Sequence, residues 1–397
     1  MDNVPISGLD ELNNHLDNLI QDPNLAIIPK LFDDVELQLT DSNIPPLIPS
    51  LLPKLTQILQ QYNDDPAVIV SLTIKLLRPI SFTQVLQLAS EDSLNQALSS
   101  PTPAAQILGL TILHKAAKSP TDAAILSVMP SLVTSLLTAW LSSPKVEVGE
   151  KASKVIGDLL DIDCPRPPPP PPPAITTGAT PFHHQLVLRR VPGRGELWKL
   201  IFHQPSTYNL LLDLISGRHP GTANNTSQLS LAQGRILRIL PRLAALNIDA
   251  IAQSNILAPT PVHLTNGHLT DDEDSDTEMN GTDENATRNE NAATNPPQPG
   301  EGLLQYAGLR MVDKRDVLMH LNLVDFFEVF VSLMRITEYS ATKEAIVKAL
   351  LRDAVPHDDM LRDALNSLPD RTVEEEADGL RAWLRAVMPA VAEVPLR

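Results

Sequence analysis

The sequence predicts an all-α protein, a HEAT/armadillo-like α-solenoid interrupted by a disordered acidic insertion. Three observations lead there. Of 397 residues, 43 % are hydrophobic but only 4 % aromatic, and apolar content carried by Leu, Ala, Ile and Val suits stacked helices better than a β-sandwich. Apolar residues recur at the helical period: in "LSSPKVEVGEKASKVIGDLLDID" (141–163), Val148, Ala152, Val155, Ile156, Leu159 and Leu160 share one stripe. The unit also repeats. Pro66, Pro103 and Pro144, spaced 37 and 41 residues apart, each follow polar or small residues and precede an apolar helix. Proline suits a first helical turn, and a period near 40 with two helices per unit is the signature of HEAT and armadillo arrays.

The elements follow in order. Residues 1–164 read as N-terminal repeats, with further helices over Ile44–Gln61, Phe82–Leu98 and Ala123–Trp140 between the proline-led ones. The helix after Pro66, crowded by Ile69, Leu72, Ile74, Leu76 and Leu77, is apolar nearly all round and must be covered on two sides. Residues 165–185 are a proline-rich linker. Its run Pro167–Pro173 favours polyproline II, roughly 20 Å long at about 3.1 Å per residue, and reads as a stiff loop in preference to a docking site for an SH3-, WW- or profilin-like partner.

Further helical repeats fill 186–258. Pro192 with Gly193 and Gly195 makes the turn that starts a helix at Glu196, and Gln204-Pro205 joins two short apolar faces. Arg235, Arg238 and Arg242 then recur at i, i+3 and i+7 on one face of a helix that Pro241 should end or kink. The stripe reads as a solvated face paired with neighbouring acids, or as a contact surface for an acidic partner. In the second reading these three arginines are the candidate partner-binding residues.

Residues 259–302 have no apolar periodicity and the composition of a disordered, self-repelling acidic loop. Thr270 and Ser275 each have an acid three positions on, at Glu273 and Glu278, a pattern suited to an acid-directed kinase. Residues 303–397 are C-terminal repeats that close the array. There Leu318, Leu321, Val324, Phe327 and Val331 mark one helical face.

Charge and motifs narrow the function. The net charge is −17, and only residues 166–260, at +6, are basic. Such a chain is a poor candidate for autonomous duplex binding, which needs phosphate neutralisation. The single cysteine, Cys164, supports no disulfide framework and no Cys-based zinc site. No signal-peptide core and no run of 18 apolar residues is present, so no membrane span is expected, and the cytoplasm, with the nucleus second, is the expected location.

Catalytic motifs are missing: there is no G-x-S-x-G and no P-loop, and Gly193-Arg194-Gly195 lacks the third glycine of a dinucleotide fingerprint. His183-His184 has no metal-ligand companions. His320 and Asp325 suit packing or a local hydrogen bond, and Asp358-Asp359 and Glu374–Glu376 suit solvated connectors. The expectation is a protein that is not an enzyme, with no cofactor and no metal.

"TPAAQILGLTILHKAAKSP", "LSSPKVEVGEKASKVIGDLLDIDC", "GRGELWKLIF" and "DVLMHLNLVDFFEVFVSLMR" together resemble the fungal branch of the HEAT-repeat assembly chaperones of the 26S proteasome's regulatory-particle base. That family also carries a DNA-mismatch-repair name. The resemblance covers most of the folded sequence and leaves out the proline tract and the acidic loop. It implies a curved array whose concave side holds the C-terminal domain of one regulatory-particle ATPase subunit, stabilising an assembly intermediate and hindering premature docking on the 20S core. A monomer before complex formation is expected, with no direct nucleic-acid partner and no membrane. No short binding motif carries over residue by residue.

The alternatives are an armadillo-type adaptor with another partner, or a factor linked to mismatch repair. A transport receptor of the importin-α kind should show repeated Trp and Asn pairs, whereas this chain has only Trp140, Trp198 and Trp383.

Overall fold

The computed structural model describes residues 6–62, 65–165, 191–223, 225–253 and 301–389. Among them the structure is all-α, with eighteen α-helices and, in place of strands, one isolated bridge between Gln253 and Glu301. The proline tract, His183-His184, Thr270 and Ser275 lie outside the described residues.

The N-terminal part holds α1 (Leu9–Gln21), α2 (Pro29–Gln38), α3 (Ile48–Gln61), α4 (Ala67–Leu77), α5 (Phe82–Leu88), α6 (Glu91–Leu98), α7 (Pro103–His114), α8 (Pro120–Ser127), α9 (Pro130–Ser142) and α10 (Val146–Ile162). The remainder holds α11 (Glu196–Phe202), α12 (Pro205–Ile215), α13 (Thr226–Ala252), α14 (Leu303–Leu309), α15 (Val317–Ile336), α16 (Ala341–Ala354), α17 (Asp359–Ser367) and α18 (Glu374–Val387).

The proline-led helices stack as an array should. In one layer α4 packs on α7, α7 on α10 and α10 on α13; in a second, α6 packs on α9 and α9 on α12. Rungs join the layers where α6 meets α7, α9 meets α10 and α12 meets α13. This is the α-solenoid expected from the repeat.

Three helix boundaries differ from the sequence reading. Phe82–Leu98 is two helices, because Ser90 adopts an extended conformation (φ −73°, ψ 160°) and its Oγ accepts from the Ser93 amide at 3.2 Å, starting α6 afresh. Ala123–Trp140 is also two. Pro130 sits in the first turn of α9, the non-helical backbone at Met129 (φ −117°, ψ 68°) before it separates α9 from α8, and the pair bends by 95°. Conversely, Pro241 does not end α13. The helix runs through it, and the non-helical residue is Asn247 (φ −157°, ψ 80°).

The core has two parts. Leu12, Leu16, Phe32, Leu51, Leu55 and Ile69 belong to a small N-terminal core, whereas a larger one runs from Leu52 to Val387. Helices α3 and α4 face both: Leu51 and Leu76 turn to the first, Leu52 and Leu77 to the second. An apolar cleft of about 270 Å³ lies at this seam, between Leu59, Leu77, Val85, Leu94 and Ile112.

The described residues that flank 166–190, and those that flank 254–300, touch one another, forming two gates. At the first, the Gly193 amide donates to the Cys164 carbonyl at 2.8 Å, and the buried Asp163 carboxylate accepts from the amides of Gly195 and Leu197 at 3.1 and 2.7 Å. Asp163 thereby caps α11 from across the gap. A Cβ on Gly193 would lie 2.1 Å from the Asp163 carbonyl carbon, so only glycine fits.

The second gate repeats the device. Gly302 lies against the Ala252 backbone, where a Cβ would come within 2.4 Å. Beside it Arg310 pairs with Glu301, and the Glu301 carbonyl accepts from Tyr208 Oη at 3.3 Å.

Candidate interaction surface

The arginine stripe sits on α13 where it crosses α10, and its three members have different environments. Arg235 is buried, 5 % exposed. Its guanidinium donates to the carbonyls of Trp140, Ser143 and Lys145 at 2.7, 2.9 and 3.3 Å, satisfying the open end of α9. Arg238 pairs with Glu150, and Arg242 bridges Asp158 and Asp161 at 2.9 and 3.2 Å. The stripe thus meets carboxylates of α10 within the chain. Arg235 faces inward, and only Arg238 and Arg242 reach the surface.

Asp158 is the hub of this junction. His114 of α7 approaches it at 2.8 Å, Arg242 of α13 at 2.9 Å and Lys154 at 3.6 Å. Burial alone would raise its carboxyl, but the hydrogen bonds from His114 and Arg242 and the nearby positive charges hold it below the usual carboxylate range. One carboxylate therefore ties three successive helices of a layer.

Next to it an open recess of about 550 Å³ crosses α2, α4, α7 and α10. Glu36, Lys75, Arg78, Lys118 and Asp161 line it, with Ile74 and Ala117 between them. Lys75 and Lys118 make no ion pair among the described residues. Lys115 at its base is spent inside: Nζ donates to the carbonyls of Leu77 and Ile80 at 2.7 and 2.9 Å. Burial pushes that amine down to about 8, helped by Lys118. The recess offers mixed charge and modest apolar area spread over several helices. It suits contact with a folded surface.

Other sequence candidates are structural. His320 bonds Asp358 at 2.8 Å, not Asp325; Asp358 is buried, also takes Lys314 at 2.8 Å and caps α17. The indoles of Trp140 and Trp198 donate to Ser153 Oγ and the Leu160 carbonyl at 2.8 and 2.9 Å. Among the described residues no group of three His, Cys, Asp or Glu side chains is placed to hold a metal ion. Sequence reasoning missed Lys115, Asp158 and Asp163. Only Lys115 left a signal, a lone cation in the apolar run "TILHKAA".

Residues 7–154 match the family model described as DNA mismatch repair protein HSM3, N terminal domain. The match runs from the start of α1 into the middle of α10 and covers a little over a third of the chain. No curated protein and no solved structure matches.

Proposed function

We propose that this chain, whose residues 7–154 carry an HSM3-type N-terminal domain, is a non-enzymatic assembly chaperone that binds the C-terminal domain of one ATPase subunit of the 26S proteasome regulatory particle. The supporting observation is the layer α2–α4–α7–α10, whose side chains present one open, mixed-charge recess across four helices. A stacked array offers extended area for many modest contacts with a folded domain. Lys75 and Lys118, which make no ion pair among the described residues, lie beside Glu36 and Asp161 and would orient the partner and speed encounter more than they would add affinity. On this reading the protein works in the cytoplasm, with the nucleus second, as a monomer until its partner binds.

Direct DNA binding is disfavoured, because the basic stripe pairs with Glu150, Asp158 and Asp161 inside a chain of net charge −17. A link to mismatch repair would then run through protein assembly or turnover. The test is size-exclusion chromatography of the full chain with each of the six regulatory-particle ATPase C-terminal domains from the same species. Co-elution with one domain is expected. Co-elution with none, by a folded chain, would favour an armadillo-type adaptor for another partner. Tight, salt-sensitive binding to duplex DNA in an anisotropy titration would overturn the indirect link to repair.

A further inference from the structure

We propose that the groove between α13 and α15 is a docking site for an amphipathic α-helix of a partner protein, one that carries a Lys or Arg inside its apolar face. The first observation is an uncovered helix face. On α15, Leu318, Leu321, Val329 and Ile336 are 74, 45, 49 and 64 % exposed. With exposed Asn322 and Asp325 they fall at i, i+3, i+4, i+7, i+11 and i+18, one continuous stripe. At about 1.5 Å per residue the stripe is roughly 27 Å long, the footprint of a helix of five turns. Single exposed leucines need no explanation; a row of four on one face does.

The second observation is beside it. Gly234, Leu237, Arg238 and Pro241 of α13 face Asn322, Asp325 and Val329 across a recess of about 190 Å³. Gly234 lies mid-helix, where glycine costs about 1 kcal/mol relative to alanine, yet a Cβ there would meet nothing within 4 Å. No packing inside the chain requires that glycine. A floor without side chains admits another helix at close range, as small residues do at tight helix crossings.

Charge identifies the occupant. Asp325 lies within the apolar row and makes no hydrogen bond or ion pair among the described residues. Two cations lie near it, Arg238 across the recess and Arg371, but they are bonded to Glu150 and Glu328. Covering a carboxylate whose neighbouring cations are already committed elsewhere is unfavourable unless another cation arrives with the covering surface. A second copy fits poorly, because a two-fold axis through the middle of the stripe would place two Asp325 carboxylates within about a turn of each other. A lipid surface is no better for a carboxylate inside the apolar face.

The test uses the full chain and two fluorescent 18-residue helical peptides, each with one leucine stripe, carrying Lys or Glu at its centre. Saturable binding of the Lys peptide is expected, at least tenfold tighter than the Glu peptide. Leu321→Glu should weaken it at least tenfold with an unchanged melting curve. Asp325→Lys should reverse the peptide preference, and Gly234→Leu, which fills the floor, should block both. The proposal is overturned if neither peptide binds, if both bind equally, or if Leu321→Glu has no effect. Light scattering that finds a dimer abolished by Leu321→Glu would replace it with a second copy, and flotation with phosphatidylcholine vesicles abolished by the same change would replace it with a lipid surface.

Discussion

At the scale of single residues, buried donors at helix C-termini hold the array together. Lys115 closes the end of α4, Arg235 that of α9, and Gln233 that of α12 by donating to Ile215 O at 3.1 Å. Removing one leaves buried carbonyls unsatisfied. Lys115→Met should therefore cost about 1–3 kcal/mol in denaturant unfolding. Its pH dependence has a definite sign. The folded amine titrates near 8 and the unfolded one near 10.5, so between those values the unfolded chain binds more protons and stability rises with pH. Lys115→Met should remove that rise. Asp158 acts in the opposite range. Its carboxyl is held low in the fold, so its contribution is present above the ordinary carboxylate range and fades as pH falls through the folded value. Asp158→Asn should cost about 1–2 kcal/mol at neutral pH and flatten the acid limb of the stability curve. These roles were poorly legible in the sequence: a polar residue at a helix end looks the same whether its partner is water or a carbonyl ninety residues away. The arginine stripe shows this best, since its spacing was visible and the carboxylates of α10 that meet it were not.

At the scale of elements, the helical period placed most helices, and the errors fall where local chemistry overrode it. Ser90 and Pro130 each start a new helix inside a continuous apolar pattern, because capping and proline sterics act over one turn while periodicity is read over several. On α15 the pattern itself misled: Val324, Phe327 and Val331 are buried as the stripe suggests, but Leu318 and Leu321 are exposed. This helix alone among the described ones is by itself long and apolar enough to cross a membrane, and it packs on α13, α17 and α18. The gates at Gly193 and Gly302 give a sharper expectation. Gly193→Ala should lower the thermal midpoint by several degrees, because its Cβ would collide with the Asp163 backbone. A midpoint untouched by Gly193→Ala would refute the gate.

At the scale of the whole molecule, the solenoid was legible because a repeat leaves a period, whereas the division of the core into two parts leaves none. Leu51 and Leu52, or Leu76 and Leu77, are the same residue type in consecutive positions, and only packing shows that they face different cores. The smaller core makes α1 to α3 the weaker end of the array. Native-state hydrogen exchange should find these helices opening at lower free energy than α7, α10 and α13; uniform protection would contradict two cores. The central claim is that the layer α2–α4–α7–α10 receives a regulatory-particle ATPase C-terminal domain. The most direct measurement is hydrogen–deuterium exchange of the full chain with each of the six domains. The account expects slowed exchange with one domain only, spread across residues 29–38, 67–78, 103–118 and 146–162. Unchanged exchange with all six, or protection confined to helices outside that layer, would contradict it.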